Sequence, residues 1–302
     1  MSSTTAVVIG LGSIGTRHAR VLRELGLRVA TVSRRDGGDY GSIVQAVASA
    51  HPDYAVIATE TARHADDLQD LAQAGFRGAV LVEKPLFATA AAPPKYPFAH
   101  VSVGYNLRFH PVMTALVERL RGREVITVAA YVGQDIRDWR PGRDHRTTAS
   151  ATVDAGGGVL RDLSHELDYL LWLFGPWHRV AALGGASGAR DIDVDDHLDL
   201  LLDMQRAPSV HVHMDYLDRQ GIRRIRVNVD DDTIEADLVG SRLVVNGKAT
   251  DFASERDQSY RDMHVAAMRG ARPACSLPEA LGVVHLIDAS ERALRTKTWI
   301  SP

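Results

Sequence analysis

Two stretches of this chain hold residue types that can move a proton. The first is Lys84, in the run Val80-Leu81-Val82-Glu83-Lys84-Pro85-Leu86. A short apolar run bounded by turn residues reads as a strand buried on both faces of a parallel sheet. The last residues of such a strand face the crevice at the sheet's carboxyl edge, where α/β proteins hold ligands. A lysine there can donate a hydrogen bond to an alcohol or carbonyl, and a desolvated ammonium shifts its pKa readily enough to exchange protons near neutrality. Pro85 has no N–H and biases Lys84 toward extended backbone, so it ends the strand and sets the lysine's aim. The second stretch follows Gly156-Gly157-Gly158, on a helix read over Val159–Phe174. Asp162, His165 and Asp168 stand three apart on one helical face, and the glycines allow close backbone approach. An imidazole with carboxylate neighbours suits proton transfer, and a buried structural histidine is the plainer alternative.

The elements that must position these residues begin at the N-terminus. Ala6–Ile9 reads as a buried strand, followed by Gly10-Leu11-Gly12-Ser13-Ile14-Gly15 and a helix over Thr16–Leu25. This is GxGxxG in its strand–turn–helix setting. Gly10 permits the tight turn, Gly12 lets backbone approach a pyrophosphate, and Gly15 permits close helix–strand packing. The N–H groups at the helix start, with Ser13 and Ile14, then face the phosphates. The second strand, Arg28–Val32, ends at Ser33-Arg34-Arg35, where an NAD-selective site usually carries an acid for the ribose 2′-hydroxyl. A hydroxyl and two guanidinium groups fit a 2′-phosphate better, so NADP is preferred, with NAD left open by Asp36.

A short helix near Ile43–Ala50, a strand over Tyr54–Ala58, a helix over His64–Ala74 and the turn Gly75–Gly78 lead back to the Lys84 strand. The alternation is that of a doubly wound parallel sheet. Thr59, His64 and Glu83 fall at its carboxyl edge beside the cofactor, although His64 reads equally well as a solvated helix start. The segment Ala88–Pro97 is a connector in which Pro93, Pro94 and Pro97 deny a long helix. After the strand His100–Gly104 comes the domain boundary: residues 1–104 form a dinucleotide-binding domain, and 105–302 a substrate-binding and oligomerisation domain.

Composition narrows the function classes. At 302 residues two domains are expected, and a net charge of −3 gives no bias toward nucleic acid or an anionic membrane. No apolar run reaches the ~18–20 residues needed to span a bilayer. Met1–Thr5 has no basic leader region, so no secretory signal is expected and the cytoplasm is the expected location. The single Cys275 excludes an internal disulfide framework and a cysteine-based zinc site. His211 and His213 share a strand face without an obvious third ligand, so no metal site is assigned.

The set GLGSIG at 10–15, EKP at 83–85, GYNLRFHP at 104–111 and GGGVLRDLSHELDYLLWLFG at 156–175 resembles the glucose–fructose oxidoreductase / inositol dehydrogenase / rhizopine-catabolism (Gfo/Idh/MocA) family. The likeness spans nearly the whole chain. The run Trp139-Arg140-Pro141-Gly142-Arg143-Asp144 resembles a subgroup linked to surface-polysaccharide or nonulosonic-sugar biosynthesis. The resemblance implies an α/β chain: a Rossmann domain, then an α/β domain with a large, open, mostly antiparallel sheet. It also implies a nicotinamide beside the substrate, Lys84 and His165 as catalytic groups with Asp162, and a cis Lys84–Pro85 peptide. Two departures stand out. Asp162 and His165 are three apart where many members space them by four, and the stretch from EKP to GYN is short enough to lack a helix.

In the second domain Asp135–Arg146 is dense in cations, with Trp139 among Arg137, Arg140, Arg143 and Arg146. These are either a solvated face or a grip on a substrate carboxylate or phosphate. Asn106 and Arg108 join Trp139, Arg140, Arg143, Asp162 and His165 as substrate-binding candidates. An uncovered apolar sheet face would suggest a homodimer or homotetramer. The expected activity is hydride transfer between nicotinamide and a secondary alcohol or ketone of a sugar, sugar derivative or cyclitol. The alternatives are a non-catalytic, cofactor-bound sugar sensor and a redox-neutral enzyme that uses NAD transiently for elimination or glycoside cleavage.

Overall fold

A computed structural model describes residues 4–35, 37–90, 95–140, 142–153 and 156–302. The chain forms two compact units that do not follow a single cut in the sequence. Met1–Phe109 joins Glu255–Leu281, and His110–Ser254 joins Gly282–Pro302. The expected boundary near residue 104 therefore leaves out a return segment. The reason is burial: Met263 and Ala267, on the helix Gln258–Arg269, pack into the same cluster as Ala6, Val8, Val56 and Leu81.

The first unit is built from β1 (Thr5–Ile9), α1 (Ser13–Glu24), β2 (Arg28–Val32), α2 (Ile43–Ala50), β3 (Tyr54–Ile57), α3 (His64–Gln73), β4 (Ala79–Val82) and β5 (His100–Val103). The sheet order is β5-β4-β3-β1-β2, all parallel, and Cys275–Ser276 adds an antiparallel edge to β5. β1, β3 and β4 are buried along their whole length, as expected of strands covered on both faces. The order reverses between β1 and β3, which makes their carboxyl ends the switch point where such sheets take ligands. Among the described residues no helix lies between β4 and β5, in keeping with the short EKP-to-GYN stretch.

The second unit holds α4 (Pro111–Leu120), β6 (Val125–Gly133), α5 (Val159–Asp162), α6 (His165–Phe174), β7 (Trp177–Gly185), β8 (His197–Met204), β9 (Ala207–Asp215), β10 (Ile222–Val229), β11 (Thr233–Asp237), β12 (Arg242–Val245) and β13 (Lys248–Asp251). Its eight strands run β13-β12-β11-β10-β6-β9-β8-β7, antiparallel except for the parallel pair β6–β9. Alternate residues point inward: Leu198, Leu200, Leu202 and Met204 on β8 are buried, as are Val210, Val212 and Met214 on β9. The other face carries Leu183 and Leu201, 75% and 51% exposed. Among the described residues no helix is long and apolar enough to cross a membrane.

Candidate functional site

The glycine turn has the backbone its sequence demands. Gly10 sits at φ +93°, and a Cβ there would lie 2.7 Å from the Ala58 carbonyl oxygen at the end of β3. A Cβ on Gly15 would overlap the carbonyl oxygen of Gly10. Gly12 differs: it caps α1 with extended backbone and no side-chain cap, and a Cβ there would meet nothing within 4 Å. The first turn of α1, which starts at Ser13 and Ile14, contains no acidic residue. Open space before a helix start with unopposed dipole fits a pyrophosphate, so these residues suit a dinucleotide.

The end of β2 is arranged less simply than its composition suggests. Arg34 is bound to the fully buried Asp67 at 2.6 Å, and Asp67 also accepts a hydrogen bond from the Thr59 hydroxyl at 2.6 Å. Ser33 Oγ accepts the Arg35 amide, and the Arg35 side chain is 89% exposed with Glu60 at 3.5 Å. Asp36 lies outside the described residues.

At the end of β4, Glu83 is 8% exposed although it was read as a cofactor neighbour. Its Oε1 accepts a hydrogen bond from His18 Nε2 at 2.8 Å, and its Oε2 accepts the Lys84 amide at 3.1 Å. Burial pushes the Glu83 carboxyl up, but hydrogen bonding to His18 and the neighbouring Lys84 ammonium leave it below its ordinary value. A Cβ on Gly104 would lie 2.8 Å from Glu83 Oε1, so this glycine makes room for the carboxylate. Lys84 itself is half-buried, and its peptide to Pro85 is cis. His64, 1% exposed, is not a solvated helix start. Its Nδ1 faces the Pro85 and Leu86 carbonyls at 3.2 and 3.1 Å, and Nε2 faces the Thr59 carbonyl at 3.2 Å. The imidazole therefore ties α3 to the turn that follows Lys84. Asn106 donates to Ser259 Oγ at 2.8 Å, and the buried Arg108 reaches Glu279 and the Pro273 carbonyl.

In the second unit the helix read over Val159–Phe174 is broken. α5 ends at Asp162, Leu163 and Ser164 turn the chain, and α6 opens at His165. Asp195 sets the start of α5, since its carboxylate accepts the Leu160 amide at 3.1 Å and its carbonyl accepts the Val159 amide. A Cβ on Gly158, at φ +109°, would collide with that carboxylate. Asp162 Oδ2 accepts the Tyr216 hydroxyl at 2.7 Å, and the Tyr216 ring meets Trp139 edge-on at 5.1 Å between centroids. The aspartate and the arginine loop are thus joined through one tyrosine. One residue beyond His165, the buried Glu166 accepts hydrogen bonds from Arg223 at 2.9 and 3.4 Å.

The four loop arginines divide into two pairs. Arg137 binds the fully buried Asp135 at 2.7 Å, and Arg146 binds Asp144 and Asp191 at 2.8 and 3.0 Å. Arg140 and Arg143 are exposed, and among the described residues neither is paired with a carboxylate. They line a small cavity with Ile136, Trp139, His145 and Thr148. The Trp139 indole nitrogen is shielded from solvent and has no hydrogen-bond partner among the described residues. Two free guanidinium groups and an unused N–H suit an anionic ligand.

Two family models match this chain. Residues 4–93 match the oxidoreductase family with an NAD-binding Rossmann fold, and residues 121–235 match the GFO/IDH/MocA C-terminal domain. The chain belongs to the Gfo/Idh/MocA family. The Gfo/Idh/MocA assignment covers more than half the chain and makes it an oxidoreductase with an NAD-binding first domain. No curated protein matches the chain by sequence. Solved structures of the same fold include GenD2 from gentamicin A biosynthesis in complex with NAD, at 21% identity and TM-score 0.79, covering 100% of this chain and 97% of that one. Another is the UDP-N-acetylglucosamine 3-dehydrogenase GnnA from Acidithiobacillus ferrooxidans, at 18% identity and TM-score 0.78, covering 98% and 99%. A third is the WlbA dehydrogenase from Bordetella pertussis in complex with NADH and UDP-GlcNAcA, at 20% and 0.77, covering 100% and 99%.

Sequence reasoning about this Gfo/Idh/MocA chain missed several partners. His18, on the buried face of α1, and His264, on the return helix, were not singled out, because an isolated histidine at helical spacing carries no signal of its own. Tyr216 and Arg223, which hold Asp162 and Glu166, are 54 and 57 residues from their carboxylates. The reading of His211 and His213 as sheet-face residues agrees with their pairing to Asp199, each at 2.9 Å. Among the described residues no group of histidine, cysteine and carboxylate side chains is arranged to hold a metal.

Proposed function

We propose that this chain is a dehydrogenase or reductase of a secondary alcohol on an anionic sugar derivative, preferring NADP, working as a cytoplasmic homo-oligomer. The observation that carries the reading is the carboxyl edge of the first sheet. There the open Gly12 turn follows β1 at the switch point, and a half-buried lysine follows β4, on the far side of β3. When bound, the nicotinamide accepts or supplies the hydride. Lys84 donates a hydrogen bond to the reacting oxygen and polarises it. His165 takes or returns the hydroxyl proton, and Asp162, fixed by Tyr216, orients substrate or imidazole.

Arg140, Arg143 and Trp139 support an anionic substrate, since a nucleotide diphosphate or a sugar carboxylate supplies the acceptors these donors lack. GnnA is named as acting on a nucleotide sugar, and WlbA was crystallised with one, which supports the same class here. Ser33 and Arg35 support NADP. The exposed Leu183 and Leu201 on one sheet face support self-association.

The test is a panel of neutral sugars, uronic acids and nucleotide sugars, assayed with NADP and NAD by absorbance at 340 nm. Turnover of an anionic sugar with net cofactor reduction is expected. Redox-neutral product formation, or tight ligand binding without turnover, would replace this reading.

A further inference from the structure

Behind the end of β4 the first unit buries a chain of four polar side chains for which the reaction scheme above has no use. Glu83 Oε1 lies 2.8 Å from His18 Nε2, His18 Nδ1 lies 2.9 Å from His264 Nε2, and His264 Nδ1 lies 3.0 Å from the Tyr54 hydroxyl. His18 and His264 are 0% exposed and Tyr54 is 1% exposed. The rings pack edge to face, with centroids 4.9 Å apart for the two imidazoles and 5.8 Å for Tyr54 with His264. Tyr260 closes the remaining side of His18 at 5.6 Å, with Arg17 stacked over it. The other carboxylate oxygen of Glu83, Oε2, accepts the Lys84 amide at 3.1 Å.

With Glu83 ionised and both imidazoles neutral, the hydrogen bonds of this chain run in one direction. An ionised carboxylate only accepts, so a neutral His18 donates through Nε2–H and keeps a lone pair on Nδ1. That lone pair requires Nε2–H on His264, whose Nδ1 then accepts the Tyr54 O–H. Reversing the chain, by protonating Glu83 or by charging His18, turns Tyr54 into the acceptor. Its hydroxyl hydrogen would then have no partner, because the Tyr54 oxygen touches no other polar group among the described residues. An unmade hydrogen bond in a dry core is unfavourable, so the tyrosine at the far end opposes reversal. Burial holds the Tyr54 hydroxyl well above its ordinary pKa and His264 well below its own, in keeping with two neutral groups.

We propose that Glu83 is a positioning residue for Lys84: a buried anion, held in that state by Tyr54 through His264 and His18, that anchors the lysine's backbone. The anion accepts the Lys84 amide just beyond the end of β4, and it places a fixed negative charge one residue from the ammonium. The proposal rests on the reading of Lys84 as a catalytic group, but the state of the chain can be measured without any substrate.

The experiment is long-range 1H–15N NMR of the full-length protein labelled in histidine, with His18 and His264 assigned by loss of signal in His18→Gln and His264→Gln. Both imidazoles are expected as Nε2–H tautomers. In Glu83→Gln the side-chain oxygen still accepts the Lys84 amide and its NH2 donates to His18, so both imidazoles are expected to switch to Nδ1–H. Steady-state kinetics of that variant should show kcat lowered about ten- to a hundredfold with cofactor KM unchanged, the mark of a reacting group whose neighbouring charge is gone. Tyr54→Phe, a gentler change, should leave a mixture of tautomers and move a limb of the kcat pH profile. Nδ1–H tautomers in the wild type, or Glu83→Gln and Tyr54→Phe proteins that keep both the tautomers and the pH profile, overturn the proposal. If the wild type turns over no sugar, the reaction scheme falls, while the tautomers still decide the state of Glu83.

Discussion

The carboxyl edge of the first sheet and the arginine loop of the second unit are both polar, and they treat polarity in opposite ways. At the sheet edge Glu83, His64, Asp67 and Thr59 each have partners at hydrogen-bond distance. In the loop, Arg137 and Arg146 are tied to carboxylates, while Arg140 and Arg143 have no carboxylate partner among the described residues. A group that must meet a reacting atom gains from a fixed direction, because small displacements cost rate. A group that must meet a large, varied ligand gains from freedom, and its loss shows mainly in affinity. The pairing pattern therefore separates the residues expected to govern kcat from those expected to govern KM.

The sharpest way to break this contrast is at Lys84. Lys84→Met should lower kcat by ~10²- to 10⁴-fold, the usual range for a positioned acid–base group, with cofactor affinity within about threefold. Near-normal turnover would remove the sheet edge from the chemistry. Next is Asp135, which is fully buried and binds Arg137, Arg190 and Arg219 at 2.7 to 3.0 Å. Burial alone would raise its carboxyl, but hydrogen bonds from Arg137 and the charge of Arg190 hold it down to about 2. A depressed carboxylate stabilises the fold above its unfolded pKa, and that contribution is lost as pH falls toward about 2. Asp135→Asn leaves three arginines without their anion and should cost roughly 3 kcal/mol in urea unfolding at pH 7. It should also flatten the acid limb of stability against pH. A cost below about 1 kcal/mol would mean that the loop is held by packing, as for an ordinary surface ion pair.

A smaller effect is expected at the two unpaired arginines. Arg140→Ala and Arg143→Ala should each raise KM about tenfold for an anionic sugar, the worth of one charge-assisted hydrogen bond, with kcat nearly unchanged. Neutral sugars should not feel the change. Equal losses on neutral and anionic substrates would assign these residues to loop structure.

What could be read in the sequence was what local rules control. The glycine turn and the strand ending at Lys84 each depend on neighbours within a few residues, and both are present. What could not be read depends on contacts distant in the chain. Residues 255–281 return to the first unit because Met263 and Ala267 complete its core, and no local pattern announces that destination. The break between Asp162 and His165 was hidden because Leu163-Ser164 is compatible with a continuous helix. The carbonyl and carboxylate of Asp195 fix where α5 begins. Glu83 was expected beside the cofactor because it adjoins Lys84, and the carboxylate instead turns to a histidine 65 residues earlier.

The smallest expected effect concerns cofactor choice, where the sequence offers two adjacent arginines and the structure sets them apart. Arg34 is bound at 2.6 Å to a fully buried aspartate that also holds Thr59, so its charge is already neutralised. Moving it to a 2′-phosphate would strip Asp67 of its cation, and the exchange of one anion for another gains little. Arg35 is 89% exposed, and its ion pair among the described residues is with Glu60 at 3.5 Å. Arg35→Ala should therefore weaken NADP binding about fivefold and leave NAD binding unchanged, a typical worth for an exposed ion pair. Arg34→Ala should weaken both cofactors alike, by about twofold, through a loosened Thr59–Asp67 pair. Titrations of cofactor fluorescence at two salt concentrations distinguish these cases, because only the Arg35–phosphate contact is exposed enough to be screened. If Arg34→Ala proves selective for NADP, Asp67 must release its arginine when cofactor binds, and that part of the sheet edge would behave like the loop.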